Sequence, residues 1–397
     1  MVIQLHNNDI TNLLDLQGVL VNKKIFSKDL IELWISCPIK VHTCPRCGNT
    51  TSRVHDYYER SFSHIIVNKK KTLIHYNSRR YACTKCGKRF AESNLFVEKF
   101  YRHSNAVVNN VFDELTDINS FSNIGKHNGM SAQNVTRLMK KFMPIFHNIT
   151  FLPEAIGIDE FKGNAGGNKF QVAITDLKSH KVIDIISARS EEAIYNFFKN
   201  ISNTNDVKLV TMDLSMFFKN IIQDIFPKAK IIADTFHYTR LMHWALDNVR
   251  KNIQKHIPKE MRIYFKHSKS VLHKRISDLD MDQYQQLCRM LDYDESLRWA
   301  YSIVQKLFEV IDEKEPAKKE LLFKDFMAYS SNCDIPEFNK HVQTYFKWHK
   351  YIINSFYTNY SNGITEGLNT KIKTLKRISF GFRSFTNFRL RILMACS

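Results

Sequence analysis

Three short apolar runs, each closing on an aspartate, limit this chain more than any other feature. "AIGID" ends at Asp159, "VKLVTMD" at Asp213 and "AKIIAD" at Asp234. Such runs, rich in Ile and Val, are too short for helices and read as buried strands. "KFQVAITD" (169–176) and "KVIDIISA" (181–188) follow the first run and are joined by a short turn, "LKSH", which makes a meander. "SEEAIYNFFKNI" opens on Ser190, a good capping residue, and reads as a helix. "LSMFFKNIIQDIF" is a second helix. The order is three strands, helix, strand, helix, strand, helix, which is an α/β arrangement. The first strand is expected to end at Asp159, and Glu160 would face the other way if the strand ran on.

Each aspartate also has a plainer reading. Asp159 could simply end a strand, Asp213 could cap the helix at Leu214, and Asp234 could cap the helix at Thr235. One acid at a strand end means little; several at the ends of successive strands mean more.

Near the N-terminus, "CPRCG" and "CTKCG" place Cys44, Cys47, Cys83 and Cys86 in two pairs, 35 residues apart. Two such turns bring four thiolates to one tetrahedral zinc. Gly48 and Gly87 suit knuckle turns that aim backbone N–H groups at sulfur. The stretch between is rich in β-branched and aromatic residues, with "NKKK" as a turn between two strand-like runs. The other readings are a redox pair or plain buried thiols. His42, His55, His64 and His75 are substitute ligands, though four thiolates already complete a site. Lys69, Lys70, Lys71, Arg79, Arg80, Lys85, Lys88 and Arg89 surround it, either as phosphate contacts or as a solvated basic face.

Between Ser120 and Phe142 runs "SFSNIGKHNGMSAQNVTRLMKKF". Phe121 and Ile124 share a helix face, "HNG" breaks the helix at Gly129, and Ser131 caps a second helix. That helix would turn Val135, Leu138 and Met139 inward and Gln133, Asn134 and Arg137 outward. This is the helix-turn-helix pattern, whose second helix reads the major groove, although many αα-hairpins look alike.

The 397 residues carry 58 Lys+Arg against 39 Asp+Glu, a formal charge of +19. That excess favours a polyanionic partner, nucleic acid or an anionic membrane surface; the alternative is a basic protein whose charge only keeps it soluble. No apolar stretch is long enough to cross a bilayer. "MVIQLHNNDITNLL" lacks the basic start and apolar centre of a secretion signal. The expectation is a cytoplasmic, nucleoid-associated protein with no membrane partner. Glycine and proline are scarce, at 12 and 8 residues, so long flexible linkers are not expected.

The order of elements resembles the ribonuclease H-like fold, in which the first and fourth strands lie side by side. Carboxylates at their ends would meet there and hold magnesium or manganese. Two such ions about 4 Å apart can activate a water or a 3′ hydroxyl and stabilise the leaving oxygen at phosphorus. A third acid normally comes from a later helix. "YSNGITEGLNTKIKTLKRI" offers one, opening at Asn362 or Gly363 with Glu366 in its first turn, where a carboxylate also simply complements the helix dipole. Asn369 and Lys373 share the face of Glu366, and Lys373 with Arg377 would hold the phosphate backbone.

With "GIDEF", "VTMD", "ADTFHYTR", "SNGITEGLNTKIK", the cysteine module and the helix pair, nearly the whole chain resembles DDE-type insertion-sequence transposases of the ISL3 group. The resemblance implies a DNA transposase with Asp159, Asp213 and Glu366 as its catalytic triad, and double-stranded DNA (terminal inverted repeats and target) as its partner. It implies metal-dependent DNA cleavage and strand transfer, and a homo-oligomer in the active complex. "DTFH" resembles a motif of related transposases, which places Asp234 and His237 beside the site in a supporting role; a structural role for His237 stands beside that. The expected domains are a zinc ribbon over 1–100, a helix-turn-helix over 101–150, and a ribonuclease H-like domain over 151–397. The 152 residues between Asp213 and Glu366 call for a helical insertion at about 241–350. Trp244, Trp299 and Trp348 in or near it are expected in the core rather than on an unpaired base. The alternatives to a transposase are a non-catalytic DNA-binding regulator derived from one and a ribonuclease H-like nuclease that cuts without joining.

Overall fold

The computed structural model describes residues 11–12, 14–16, 18–94, 96–141 and 149–397. Most of the N-terminal "MVIQLHNNDITNLL", and Phe142 at the end of the helix pair, lie outside them. Contacts divide the chain into two compact units, 1–147 with 374–396, and 148–373 with Ser397.

In the first unit, strands β1 (Leu20–Phe26), β2 (Leu30–Ser36), β5 (Val54–Val67) and β6 (Lys70–Ala82) form a sheet in the order β1-β2-β6-β5. β5 and β6 make a long antiparallel hairpin. Its two-residue turn is Asn68-Lys69, both at positive φ (47° and 66°). That is the turn geometry whose twist matches the flanking strands. Between β2 and the hairpin lie β3 (His42–Thr43) and β4 (Thr50–Thr51), which pair with each other, and β7 (Arg89–Ala91) pairs with β6. Ile31, Leu33, Ile35, Phe62, Ile74 and Tyr76 form the core of this sheet.

Helices α1 (Asn105–Thr116), α2 (Phe121–His127) and α3 (Ala132–Lys141) follow. Ser120 caps α2, and Ser131 Oγ accepts from Asn134 N at 3.3 Å to open α3. Gly129 sits between them at φ +66°. Ile124, Val135, Leu138 and Met139 are buried together as expected, and Leu390 and Met394 of α13 (Phe385–Cys396) join them. Arg391 on α13 is fully buried and donates to the carbonyls of Leu115, Asp117 and Asn119, the free end of α1.

The second unit holds β8 (Ala155–Phe161), β9 (Gln171–Asp176), β10 (Lys181–Ile186), β11 (Leu209–Met212) and β12 (Lys230–Ala233). They form one sheet in the order β10-β9-β8-β11-β12. β8, β11 and β12 are mutually parallel neighbours, while β9 runs antiparallel to β8 and β10. Helices α4 (Glu191–Phe198) and α5 (Met216–Ile225) connect the strands, and α6 (Thr235–Gln254) leaves the last of them. The first strand does not stop at Asp159. β9 keeps pairing with Glu160 and Phe161 after β11 has ended, so the strand runs two residues further. Glu160 then faces away from Asp159 and pairs with Arg189.

The region after α6 is helical, as the long gap before Glu366 led us to expect: α7 (Ser268–Leu272), α8 (Met281–Tyr293), α9 (Glu295–Asp312), α10 (Pro316–Ser331) and α11 (Pro336–Phe356). α11 lies along β12, and Asn354 donates to the Ile231 carbonyl at 2.8 Å, satisfying a group on the sheet edge. Trp348 is buried in this layer, but Trp244 and Trp299 are not, being 50% and 42% exposed. α6 buries Tyr238, Met242, Ala245, Leu246 and Val249, and position 244 lies off that stripe. Trp299 rests against Tyr329 with ring centroids 5.2 Å apart.

Candidate active site and metal centre

The parallel register brings the acids together. Ile158 pairs with Met212, and Met212 with Ala233, at the last rung of the ladder. Asp159, Asp213 and Asp234 each follow that rung by one residue. Residues level on parallel strands share a face and stand about 5 Å apart, so three carboxylates meet at one edge. The plainer readings of Asp213 and Asp234 do not describe their side chains. Ser215, not Asp213, caps α5 by accepting from Phe218 N. Asp234 occupies the cap position of α6 but makes no capping side-chain hydrogen bond, and its Oδ2 is buried without a partner.

Glu366 arrives from a different direction. α12 (Gly363–Ile378) carries it in the first turn, and that turn is docked on the sheet by buried polar contacts. Asn362 Oδ1 accepts from Thr211 Oγ1 at 3.2 Å, and its Nδ2 donates to Asp213 Oδ1 at 3.3 Å. Thr365 Oγ1 lies 2.8 Å from Thr175 Oγ1. Both hydroxyls sit over Gly157, where a Cβ would come within 2.2 Å of Thr365 Oγ1 and 2.5 Å of Thr175 Oγ1. Only a glycine in β8 lets the helix approach this closely. One turn on, Asn369 Nδ2 donates to Asp159 Oδ2 at 2.6 Å.

His237, in the first turn of α6, stands between two of the acids. Its Nδ1 is 3.1 Å from Asp213 Oδ2 and its Nε2 is 3.5 Å from Glu366 Oε1. Burial holds its pKa down at about 4, aided by the Arg240 charge, so the ring is neutral at pH 7. The acids move the other way. Burial and the neighbouring carboxylates push Asp213 up to about 8. Burial, with Glu366 nearby, raises Asp234 to about 6. Asp159 is also raised to about 6, mainly by burial, against the hydrogen bonds from Glu160 N–H and Asn369. Like charges this close are costly unless a cation joins them. Ligand atoms of Asp213, Asp234 and His237 all lie within 4.8 Å of one another. The buried, unpartnered Asp234 Oδ2 and Asn369 Oδ1 and the mostly oxygen donor set fit a hard divalent cation.

The four cysteines form the second group with metal-binding geometry. Cys44 and Cys86 sulfurs are 3.7 Å apart, and those of Cys47 and Cys83 are 3.6 Å apart. A tetrahedron with Zn–S bonds of about 2.3 Å has edges of about 3.8 Å, so the spacing fits zinc. The two knuckles match: Cys44 N bonds to Asn49 O and Gly48 N to Cys44 O, while Cys83 N bonds to Lys88 O and Gly87 N to Cys83 O. Gly48 and Gly87 take φ of +71° and +68°, as that turn requires. Backbone N–H groups of Cys86 and Lys85 donate to the Cys83 sulfur and hold its thiol down at about 6, favouring the thiolate a metal needs. Among the substitute ligands, His64 is committed to Ser104 and the Leu14 carbonyl.

Comparison with known proteins identifies the family. Residues 156–392 match the ISL3-type family described as "Transposase". The chain belongs to the ISL3 transposase family. Residues 40–86 match the "zinc-finger of transposase IS204/IS1001/IS1096/IS1165", which covers the four cysteines. A relative from Bordetella parapertussis, the transposase for insertion sequence element IS1001, is 22% identical over 92% of this chain and 91% of its own length. The transposase for IS1557 of Mycobacterium tuberculosis is 24% identical over 58% of this chain and 57% of its own. A Lactococcus lactis protein named an ATP-dependent protease is 36% identical, but over 27% of this chain and 33% of its own length.

In this transposase, Gln133 and Arg137 are exposed on α3 and Asn134 is half-buried, with Arg137 Nη1 donating to Asn134 Oδ1 at 3.2 Å. Lys373 and Arg377 are exposed on α12, one and two turns beyond Asn369. Of the basic residues near the cysteines, Arg79 pairs with buried Glu92 and Arg80 with Asp56, so those two are already engaged. Sequence reasoning named the acids, Asn369 and His237. It missed Gly157, Thr175, Thr211, Asn362 and Thr365, which position them, and Arg240. The usable signal was a glycine and two threonines inside otherwise apolar strands.

Proposed function

We propose that this transposase binds the terminal inverted repeats of an insertion sequence and catalyses metal-dependent DNA cleavage and strand transfer, with Asp159, Asp213 and Glu366 as its catalytic carboxylates. The observation that carries this is the meeting of level strand-end acids with a glutamate delivered by a separate, tightly docked helix. The sheet order, with the first and fourth strands adjacent and parallel, supports a ribonuclease H-like core. We take the catalytic domain as 151–397 with an insertion at about 241–350, behind a zinc ribbon (1–100) and a helix-turn-helix (101–150).

The acids are the proposed holders of magnesium or manganese. When bound there, the ions supply Lewis acidity at the scissile phosphate and a nucleophile at neutral pH. The protein's own contribution is positioning. Asn369 fixes one oxygen of Asp159, and Asn362 fixes one of Asp213. Asp234 and neutral His237 fill the remaining sides, with His237 within reach of both Asp213 and Glu366. Zinc at Cys44, Cys47, Cys83 and Cys86 would rigidify the ribbon. Gln133, Asn134 and Arg137 are the proposed readers of double-stranded repeat DNA, and Lys373 and Arg377 the phosphate contacts. Two element ends must be paired, so a homo-oligomer is expected in the active complex.

The test is a strand-transfer assay with labelled element ends and a plasmid target, with magnesium, with manganese and with neither. Covalent joining that needs metal and is lost in Asp159→Asn supports the proposal. Binding without cutting would favour a regulator. Cutting without joining would favour a nuclease.

A further inference from the structure

One feature of α6 is left unused by the carboxylate site. Phe236, Arg240 and Trp244 recur at four-residue intervals and so share one face of the helix. The Arg240 guanidinium lies over both rings, 5.2 Å from the Phe236 centroid and 4.9 Å from that of Trp244. Phe236 is 54% and Trp244 50% exposed, although the opposite face of the helix is fully committed to the core. Arg240 Nε is buried with no hydrogen-bond partner. Its charge also reaches Asp213 and Asp234, where it offsets a small part of the rise caused by burial.

The ladder begins beside His237, within the acidic cluster, and climbs away from it. Trp244 lies seven positions along the helix from His237, about 10 Å at 1.5 Å per residue. That is the reach of one or two nucleotides of single strand. Both half-exposed aromatic rings lie off the buried stripe of the helix. An aromatic-cation-aromatic stack offers a π-face for a base and a positive charge for the phosphate next to it. A duplex hides its base faces, so the occupant must be unpaired.

We propose that Phe236, Arg240 and Trp244 form a stacking ladder that holds an unpaired base next to the scissile phosphate, with Trp244 taking the base and Arg240 an adjoining phosphate. This rests on the proposed function and adds to it a local opening of the duplex at the cleavage site.

The test uses the full-length protein, zinc-loaded, with duplex terminal-repeat ends. Thymines at successive positions across the scissile phosphate are replaced by 5-iodouracil, and the complex is irradiated in calcium, where cutting is not required. Cross-linked peptides are identified by mass spectrometry. The expected result is a cross-link to Trp244 or Phe236 from one position flanking the scissile phosphate. Trp244→Ala should weaken binding of ends mismatched at that position about 5- to 100-fold, the range for losing one base–aromatic stack. Trp244→Phe should retain most of the affinity, and binding of a repeat truncated before the cleavage site should not change. Cross-links confined to other residues, or Trp244→Ala binding mismatched ends as the wild type does, overturn the ladder. That includes the outcome in which this face pairs two copies of the chain. Cleavage in magnesium is scored separately. Cross-linking to Trp244 without any cutting removes the catalytic reading and leaves the ladder, while cutting without that cross-link does the reverse.

Discussion

Gly157→Ala would add one methyl group to the protein and should disable it. The added Cβ would stand 2.2 Å from Thr365 Oγ1 and 2.5 Å from Thr175 Oγ1. Non-bonded contact needs about 3.5 Å, so the first turn of α12 must retreat by roughly 1 Å. β8 cannot move instead, because it is paired on both sides, with β9 and β11. Retreat breaks the buried Thr365–Thr175 contact and strains the Asn362–Thr211 bond. Overpacking of this kind costs about 1–3 kcal/mol. At about 2–4 °C per kcal/mol for a unit of this size, Tm should fall by about 2–12 °C. The larger effect is on the site. Glu366 leaves Asp159 and Asp213 by about the same 1 Å, a misplacement that costs on the order of 100-fold in rate. The assay is single-turnover cleavage of a labelled element end in magnesium, alongside thermal unfolding. Thr365→Ala in the Gly157→Ala background removes the closer clash but leaves the one with Thr175, so it should recover part of the loss. A folded Gly157→Ala protein that cuts at the wild-type rate would refute the claim that this contact sets the position of Glu366.

Asp159→Asn should abolish cleavage while leaving gel-shift binding to the terminal repeats intact; cutting at the wild-type rate would remove Asp159 from the proposed triad. Cys83→Ser should lower zinc content and weaken specific binding, and unchanged zinc stoichiometry by metal analysis would count against the ribbon site. Between pH 7 and 8, Asp213 should take stability from the magnesium-free protein as pH rises. Asp213 has a folded pKa of about 8, above its unfolded value of about 4, so the folded state holds the extra proton and stability falls until pH passes 8. The raised acids Asp159 and Asp234 act at lower pH, where histidines with lowered pKa values, such as His237, contribute the opposite slope. Cys83, held down at about 6, adds a rising slope in the same window, so Asp213 is isolated by comparing the wild type with Asp213→Asn. Magnesium should remove this contribution and raise Tm more at pH 8 than at pH 7; without it the wild type should lose Tm relative to Asp213→Asn as pH rises, and a difference that stays constant or moves in the wild type's favour would contradict the assignment.

Local pattern carried much of this molecule. The strand order, the Ser190 cap, the inward stripe of Val135, Leu138 and Met139, and the knuckle glycines all follow from neighbours within a few residues. So does the placement of acids at strand ends, because a parallel ladder makes equivalent positions level without further information. What could not be read locally was anything set by a partner far along the chain. Asp159 was expected to end its strand because the apolar run ends there. The strand continues because β9 goes on pairing after β11 stops, a fact about a neighbour rather than about residues 155–161. Trp244 and Trp299 failed for the same reason, since burial depends on which helix face meets the core and not on side-chain size.

The docking of α12 shows the limit most clearly. Gly157, Thr175, Thr211, Asn362 and Thr365 look unremarkable one at a time: a glycine in a strand, threonines in strands, polar residues before a helix. Their meaning appears only when distant strands are brought under Thr365, as in the contact with Thr175, 190 residues away in sequence. Each of these groups is buried, so each must be satisfied by another of them, or the site costs more than it returns. That mutual requirement ties the geometry of the acids to the closure of the fold. It also explains why the glutamate can come from so late in the chain. A helical insertion of any length can separate it from Asp213, provided the first turn of α12 finds the one place on the sheet where a missing side chain leaves room.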